Sequence, residues 1–193
     1  MHQIHITEGV VLGKRGVGEA NTLVFILTHK LGLIRAAARS TRVEKSKLRY
    51  GLEPLTIARF SFVRGKHEWR LTGVENVNHD AVGSTQLRRQ AAGRIARLMT
   101  RLVQGEESVP TLFASIKEGL VFLANAASEE DAQTIETVLV LRILAQLGYL
   151  PHTPEVKPFI SDQLFSIELA AAAAQSRSFL IKTINESLQQ SGL

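Results

Sequence analysis

The chain has 193 residues, a hydrophobic share of 45% and a net charge of +5. That length can bury a sizeable core, as one large domain or two small ones, and no apolar run approaches the roughly 20 residues that cross a bilayer. The sequence has no cysteine, which excludes disulfides and thiolate metal sites. Because the first residues also lack a secretory pattern, we expect a cytoplasmic protein.

The charge is distributed unevenly along the chain. Residues 1–79 hold 13 Lys and Arg against 6 Asp and Glu, a net of +7, whereas residues 80–193 hold 10 against 12, a net of −2. A basic first part joined to a near-neutral second part suggests a polyanion-binding module carried on something else. We therefore predict two domains, residues 1–79 and 80–193.

The first domain is predicted to consist of β-strands. Alternating or continuous apolar runs place them at residues 4–12, 23–27, 33–38, 55–63 and 68–77. Five short strands with a long connection between the third and fourth favour a closed barrel of the OB type, with an SH3-like barrel as the alternative.

The fourth predicted strand has an irregular pattern. Leu55 and Ile57 alternate in one phase, and Phe60 and Phe62 alternate in the opposite phase. Because a one-residue slip moves every later side chain to the other face, this pattern predicts a β-bulge near residues 58–59.

A basic connection, RAAARSTRVEKSKLRY at residues 35–50, separates the third and fourth strands. Its cations are Arg35, Arg39, Arg42, Lys45, Lys47 and Arg49, against the single acid Glu44. Each Lys or Arg that neutralises a phosphate releases a condensed counterion, so this composition predicts a polyanion ligand. The alternative is a solvated loop that only maintains solubility.

Other residues extend the candidate nucleic-acid surface. Tyr50 is the candidate for stacking on a base. The neighbouring loops add four cations to the set: Lys14, Arg15, Arg64 and Lys66.

The segment GVVLGKRGVGEANTLVFILTHKLGLI at residues 9–34, with the following residues 35–56, resembles the N-terminal domain of the RecO family of bacterial recombination mediators. The positions that match its R-x-x-G-E-A-x-x-L-V block are Arg15, Gly18, Glu19, Ala20, Leu23 and Val24. The sequence RSTR at 39–42 stands where the family has K-G-A-R, which keeps the charge and loses a glycine. The resemblance implies an OB barrel that binds single- and double-stranded DNA and anneals complementary strands.

The second domain is predicted to be helical. Apolar spacing predicts helices over 86–104, from Pro110 onward, over 129–147 and over 178–190, while residues 159–167 are assigned to a short strand or helical segment. Ser128, followed by three acids, predicts the start of the third helix, which is apolar nearly all round and therefore central. The sequence VLRILAQLGYLP at 140–151 resembles the family element L-R-L-L-x-x-L-G-Y-x-P.

The resemblance also implies partners: RecR and the acidic C-terminal tail of the single-strand-binding protein. The candidate contacts for that tail are the helical arginines Arg94, Arg97, Arg101 and Arg142. The alternative for the stripe of Arg94, Arg97 and Arg101 is a solvated helix face.

No catalytic, metal or cofactor motif is present in the sequence. Many members of the family carry a four-cysteine zinc insert, but here a proline-rich link at residues 151–158 takes its place, so we expect no zinc and no cofactor. The predicted function is non-enzymatic: DNA repair and recombination by strand binding, annealing and assistance to recombinase loading. The alternatives are a protein-interaction adaptor with an acidic partner and an RNA-binding OB protein.

Overall fold

A computed structural model describes residues 3–39, 41, 48–66, 68–78, 85–103, 105–161 and 165–192. The strands are β1 (Ile4–Val17), β2 (Asn21–Thr28), β3 (Gly32–Ala38), β4 (Ile57–Arg64) and β5 (Trp69–Asn78). The helices are α1 (Gln86–Leu102), α2 (Pro110–Ala124), α3 (Glu129–Gln146), α4 (Lys157–Ile160), α5 (Ile167–Gln175) and α6 (Arg177–Gln190). A single turn of 3-10 helix, Tyr50–Leu52, precedes β4.

The five strands form a closed barrel in the order β1-β2-β3-β5-β4. All neighbouring pairs are antiparallel except β3 with β5, which are parallel. The α+β prediction, an OB-type barrel of five strands followed by helices, is confirmed. Closure removes the exposed sheet edges that would otherwise pair with other chains.

The barrel interior is filled by side chains from alternate positions of each strand. Phe60, Phe62, Trp69 and Leu71 lie there, as the alternation of the fourth and fifth predicted strands indicates. Phe60 and Phe62 are stacked with ring centroids 6.1 Å apart, and Trp69 meets Phe62 edge-on at 6.3 Å. These aromatics stabilise the core, so they are not available as stacking platforms for bases.

The outer face of the barrel is also buried on one side, because the helices pack against it. The barrel residues in that second cluster are Val10, Leu12, Leu27, Leu33, Leu55 and Ile57. They share it with the buried residues of α1, α2 and α3, such as Met99, Phe113 and Leu139. A continuous apolar core therefore joins the barrel to the helices.

This second core explains the two phases of the fourth strand. Ile57 faces the helices and Phe60 faces the barrel interior, so residues of both phases are buried without any slip in β4. The pairing of β4 with β1 runs without interruption from Val63 to Ile57. A register shift does occur opposite residues 57–59, but the additional residue belongs to β5, so the predicted bulge in β4 is corrected.

Helix α3 occupies the centre of the helical part, as predicted. Ser128 caps its N-terminus: its hydroxyl accepts from the Asp131 amide, and the Asp131 carboxylate accepts from the Ser128 amide. Gly119 of α2 lies so close to Leu139 that a Cβ would approach the Leu139 Cδ2 to 2.7 Å. Residues 159–167, predicted as a short strand or helical segment, contain the end of the one-turn helix α4 and the first residue of α5. No described helix combines the length and apolar character that a membrane span requires.

Candidate nucleic-acid interface

A cleft of about 430 Å³ opens at one end of the barrel, and we call it the barrel-mouth cleft. Its lining residues are Lys14, Arg15, Gly16, Thr22, Thr41, Arg49 and Leu52. They come from the β1–β2 hairpin, from Thr41 and Arg49 of the basic connection and from the 3-10 turn. The cleft therefore combines three cations with hydroxyl groups and one apolar side chain.

The register of the hairpin places Lys14 at this cleft. Between Val11 and Gly13 the β1–β2 pairing shifts by one residue, so that Lys14 lies opposite Val24 and Gly16 lies opposite Thr22. Val24 faces the barrel interior. Because directly opposed residues share a face of the sheet, Lys14 and Gly16 lie on the interior side, where the barrel ends.

Two buried threonines form the floor of the cleft. The Thr41 hydroxyl donates to the Thr22 hydroxyl over 2.7 Å, and both residues are at least 92% buried. This hydrogen bond holds Thr41, a residue of the basic connection, against Thr22 of β2. The connection therefore leaves the barrel at a defined point beside Lys14 and Arg15.

The cations of the cleft differ in their partners. The Lys14 ammonium lies 2.8 Å from a carboxylate oxygen of Glu53, and both side chains are partly exposed. Arg15 and Arg49 are exposed and have no ion-pair partner among the described residues. Tyr50, next to Arg49, is 69% exposed, which is the accessibility that stacking on a base requires.

Three of the predicted DNA-binding residues, Arg42, Lys45 and Lys47, lie outside the described residues. Arg39 is described and exposed, one residue beyond β3. Lys66 is exposed in the turn between β4 and β5. The structure thus brings Lys14, Arg15 and Arg49 together, while Lys66 is not among the lining residues of their cleft.

Arg35 and Arg64 lie apart from the barrel-mouth cleft. The Arg35 guanidinium lies over the Phe25 ring on the outer face of the barrel, 5.9 Å from the ring centroid. It lines a second cleft, of about 580 Å³, together with Leu33, Thr100, Arg101, Gly105 and Glu106. We call this the β3–α1 cleft. Arg64 stacks on Trp69 at 4.8 Å and forms an ion pair with Glu106.

The helical arginines differ in their burial and in their partners. Arg94 donates two hydrogen bonds of 2.6 Å to the Glu136 carboxylate, and this contact raises the pKa of Arg94 above its ordinary value. Arg97 and Arg101 remain exposed on α1. The three residues predicted as one stripe therefore have different roles, because Arg94 joins α1 to α3.

Arg142 is corrected as a partner-binding candidate. It is only 2% exposed, its Nε donates to the Phe159 carbonyl over 3.0 Å, and its guanidinium lies 4.4 Å from the centroid of the Phe165 ring. Arg142 thus connects α3 to the segment that follows it, through buried contacts with Phe159 and Phe165. Sequence reasoning read the charge as a surface feature, although it occurs within an otherwise apolar run that is buried.

Sequence reasoning missed the acids that accompany the cations. Glu53 directly follows the 3-10 turn and Glu106 lies in the segment before α2, and neither has a local pattern that pairs it with Lys14 or Arg64. Thr22 and Thr41 were missed for the same reason. Only the tertiary fold, which brings connecting segments beside the strands, places these distant residues together.

Comparison with known proteins identifies relatives of this chain. Residues 1–79 match the family described as "Recombination protein O N terminal". The DNA repair protein RecO of Thermobifida fusca is 34% identical over 152 residues, which cover 77% of this chain and 61% of that protein. The DNA repair protein RecO of Heliobacterium modesticaldum is 30% identical over 151 residues, with 78% and 54% covered. The chain thus spans little more than half the length of these relatives.

Proposed function

We propose that this chain, which belongs to the RecO family of DNA repair proteins, binds DNA at the barrel-mouth cleft and brings complementary strands together. Single strands and duplexes both fit the three cations, since their contacts are to phosphates, whereas Tyr50 can stack only on an unpaired base. The observation that supports it best is the convergence of Lys14, Arg15 and Arg49 on one cleft beside the exposed Tyr50. No chemical step is required of the protein.

Annealing follows from electrostatics in this proposal. Two strands repel each other through their phosphates, and cations that neutralise phosphates without contacting base edges lower that repulsion. Base pairing then selects the complement. By the same binding, the protein would help a recombinase replace the single-strand-binding protein, with RecR and the acidic tail of the single-strand-binding protein as partners.

The salt dependence of binding tests the proposal. We expect the affinity for a fluorescent single-stranded oligonucleotide to fall steeply with salt. In the double variant Arg15→Ala/Arg49→Ala the logarithmic slope should be smaller by about 1.4, at about 0.7 for each phosphate contact on a single strand. Fluorescence anisotropy at several salt concentrations measures both slopes.

The matched control removes the same charge far from the cleft. Lys157→Ala/Lys182→Ala changes two exposed lysines of α4 and α6 and should leave the slope unchanged. Equal slopes for all three proteins would show that the barrel-mouth cleft does not hold phosphates. Binding to a poly-aspartate peptide with none to DNA would instead support an adaptor with an acidic protein partner.

Glu53 is expected to weaken DNA binding, because its carboxylate forms an ion pair with the Lys14 ammonium and so competes with a phosphate for that cation. Glu53→Gln should tighten binding about two- to fivefold at low salt, since an exposed ion pair of this kind is worth up to about 1 kcal/mol. The same titration measures the change. Lys14→Ala/Glu53→Gln should lose the gain, and weaker binding by Glu53→Gln alone would mean that Glu53 positions Lys14 for the ligand.

A further inference from the structure

The β3–α1 cleft joins a barrel cation to a helix cation. Arg35 comes from the outer face of β3 and Arg101 from the last turn of α1. Arg35, Arg101 and the neighbouring Arg97 are exposed and have no ion-pair partner among the described residues. The acid in the lining, Glu106, is already paired with Arg64. The cleft therefore offers two unpaired guanidinium groups.

The β3–α1 cleft lies beside the barrel-mouth cleft along a single strand. Ala38 ends β3, and its carbonyl is 3.5 Å from the Thr41 hydroxyl in the floor of the barrel-mouth cleft. Arg35 is three residues earlier on the same strand, which corresponds to about 10 Å at the rise of a β-strand. Ala38 faces the barrel interior and Arg35 faces the outside, so a nucleic-acid strand that leaves the barrel-mouth cleft must pass round the end of β3 to reach the β3–α1 cleft.

We propose that the β3–α1 cleft, through Arg35 and Arg101, is a second phosphate-binding site that holds a nucleic-acid strand after it leaves the barrel-mouth cleft. The inference rests on the proposed function. It assigns Arg101 to DNA and separates it from Arg94, which is occupied by Glu136. A guanidinium presents donors in a planar fork, and the central carbon of the Arg35 guanidinium lies over the Phe25 ring, 5.9 Å from its centroid.

Oligonucleotide length distinguishes this site from the first one. A strand of about 6 nucleotides fills only one cleft, whereas one of about 20 exceeds the site of a single OB barrel and reaches the second cleft. We expect Arg35→Ala/Arg101→Ala to weaken binding of the longer strand roughly tenfold near 0.1 M salt and to lower its salt slope by about 1.4. Binding of the shorter strand should change less than twofold.

Two control variants separate charge from structure. Arg35→Lys/Arg101→Lys keeps the positive charges and should retain most of the affinity for the longer strand. Lys157→Ala/Lys182→Ala removes two charges elsewhere and should behave as the unchanged protein. Because Arg101 also opposes the negative end of the α1 dipole, urea unfolding of each variant identifies any loss of affinity that comes from unfolding.

Several outcomes would overturn the inference. An equal loss of affinity for both oligonucleotide lengths would mean that Arg35 and Arg101 belong to the same site as the barrel-mouth cleft. No loss of affinity for either length would mean that the two arginines do not contact DNA. Loss of poly-aspartate binding with DNA binding unchanged would assign the cleft to an acidic protein. If the unchanged protein binds neither oligonucleotide, the proposed function fails and this inference fails with it.

Discussion

A fragment restricted to residues 1–79 is expected to aggregate instead of folding as an isolated barrel. Removal of the helices exposes the outer face of the barrel, where Val10, Leu12, Leu27, Leu33, Leu55 and Ile57 are at least 94% buried. Each side chain contributes about 1.5 to 3 kcal/mol by burial, so the loss is on the order of 10 kcal/mol. That equals the whole stability of a typical domain, about 5 to 15 kcal/mol. Circular dichroism and light scattering of the fragment measure the result.

A modified fragment is the control for this prediction. The changes Leu27→Thr, Leu33→Thr and Ile57→Thr remove exposed apolar surface, and the barrel interior stays unchanged because these residues do not belong to it. We expect the modified fragment to scatter less light than the original one. A cooperative thermal transition in the unmodified fragment would show that the barrel is stable without the helices, and the prediction would be wrong.

The substitution Gly32→Ala is expected to destabilise the protein by about 3 kcal/mol. Gly32 has a φ of +66°, and a Cβ there would overlap the backbone carbonyl of Glu107. The unfavourable φ costs about 1 to 2 kcal/mol and the overlap about 1 to 3 kcal/mol more. The overlap cannot be relieved by a side-chain rotation, because the neighbour is backbone. Urea unfolding, compared at constant slope, measures the difference.

Gly18 provides a matched control for the backbone term. It has a φ of +61°, but no atom lies within 4 Å of the position that a Cβ would occupy. Gly18→Ala should therefore cost only the φ term, about 1 to 2 kcal/mol. Equal effects of the two substitutions would mean that the turn before β3 can move away from the segment that leads to α2.

Much of the fold could be predicted because local pattern and tertiary structure agree. The apolar runs around Val24 and Leu71 correspond to β2 and β5, and Ser128 with its acids marks the start of α3. The bulge in β4 could not be predicted correctly, because a strand buried on both faces has the same sequence pattern as a strand with a slip. Only the helices packed against Ile57 distinguish the two.

The sequence predicts which cations belong to the candidate site, but it does not predict how the fold arranges them. The positions of Arg15 and Arg49 in basic loops predicted exposure, and the structure places both in one cleft. Arg35 belongs to the same basic run, yet it lies on the outer face of β3 with Arg101. The alternation of side chains along β3 determines which face Arg35 occupies, and the number of charges in the run gives no information about that face. The charge of Arg142 predicts an exposed side chain, but the structure buries it within the helical core.

The parallel contact between β3 and β5 has a consequence for the order of folding. It pairs only Ala36, Ala37 and Ala38 with Trp69, Arg70 and Leu71. Its formation must close the loop between these strands, and that loss of chain entropy makes it a late event, after the hairpins have formed. Because this pairing has only three residue pairs, we expect it to separate early during local unfolding. Because the Ala38 carbonyl lies 3.5 Å from the Thr41 hydroxyl, we expect opening of the β3–β5 pairing to widen the barrel-mouth cleft.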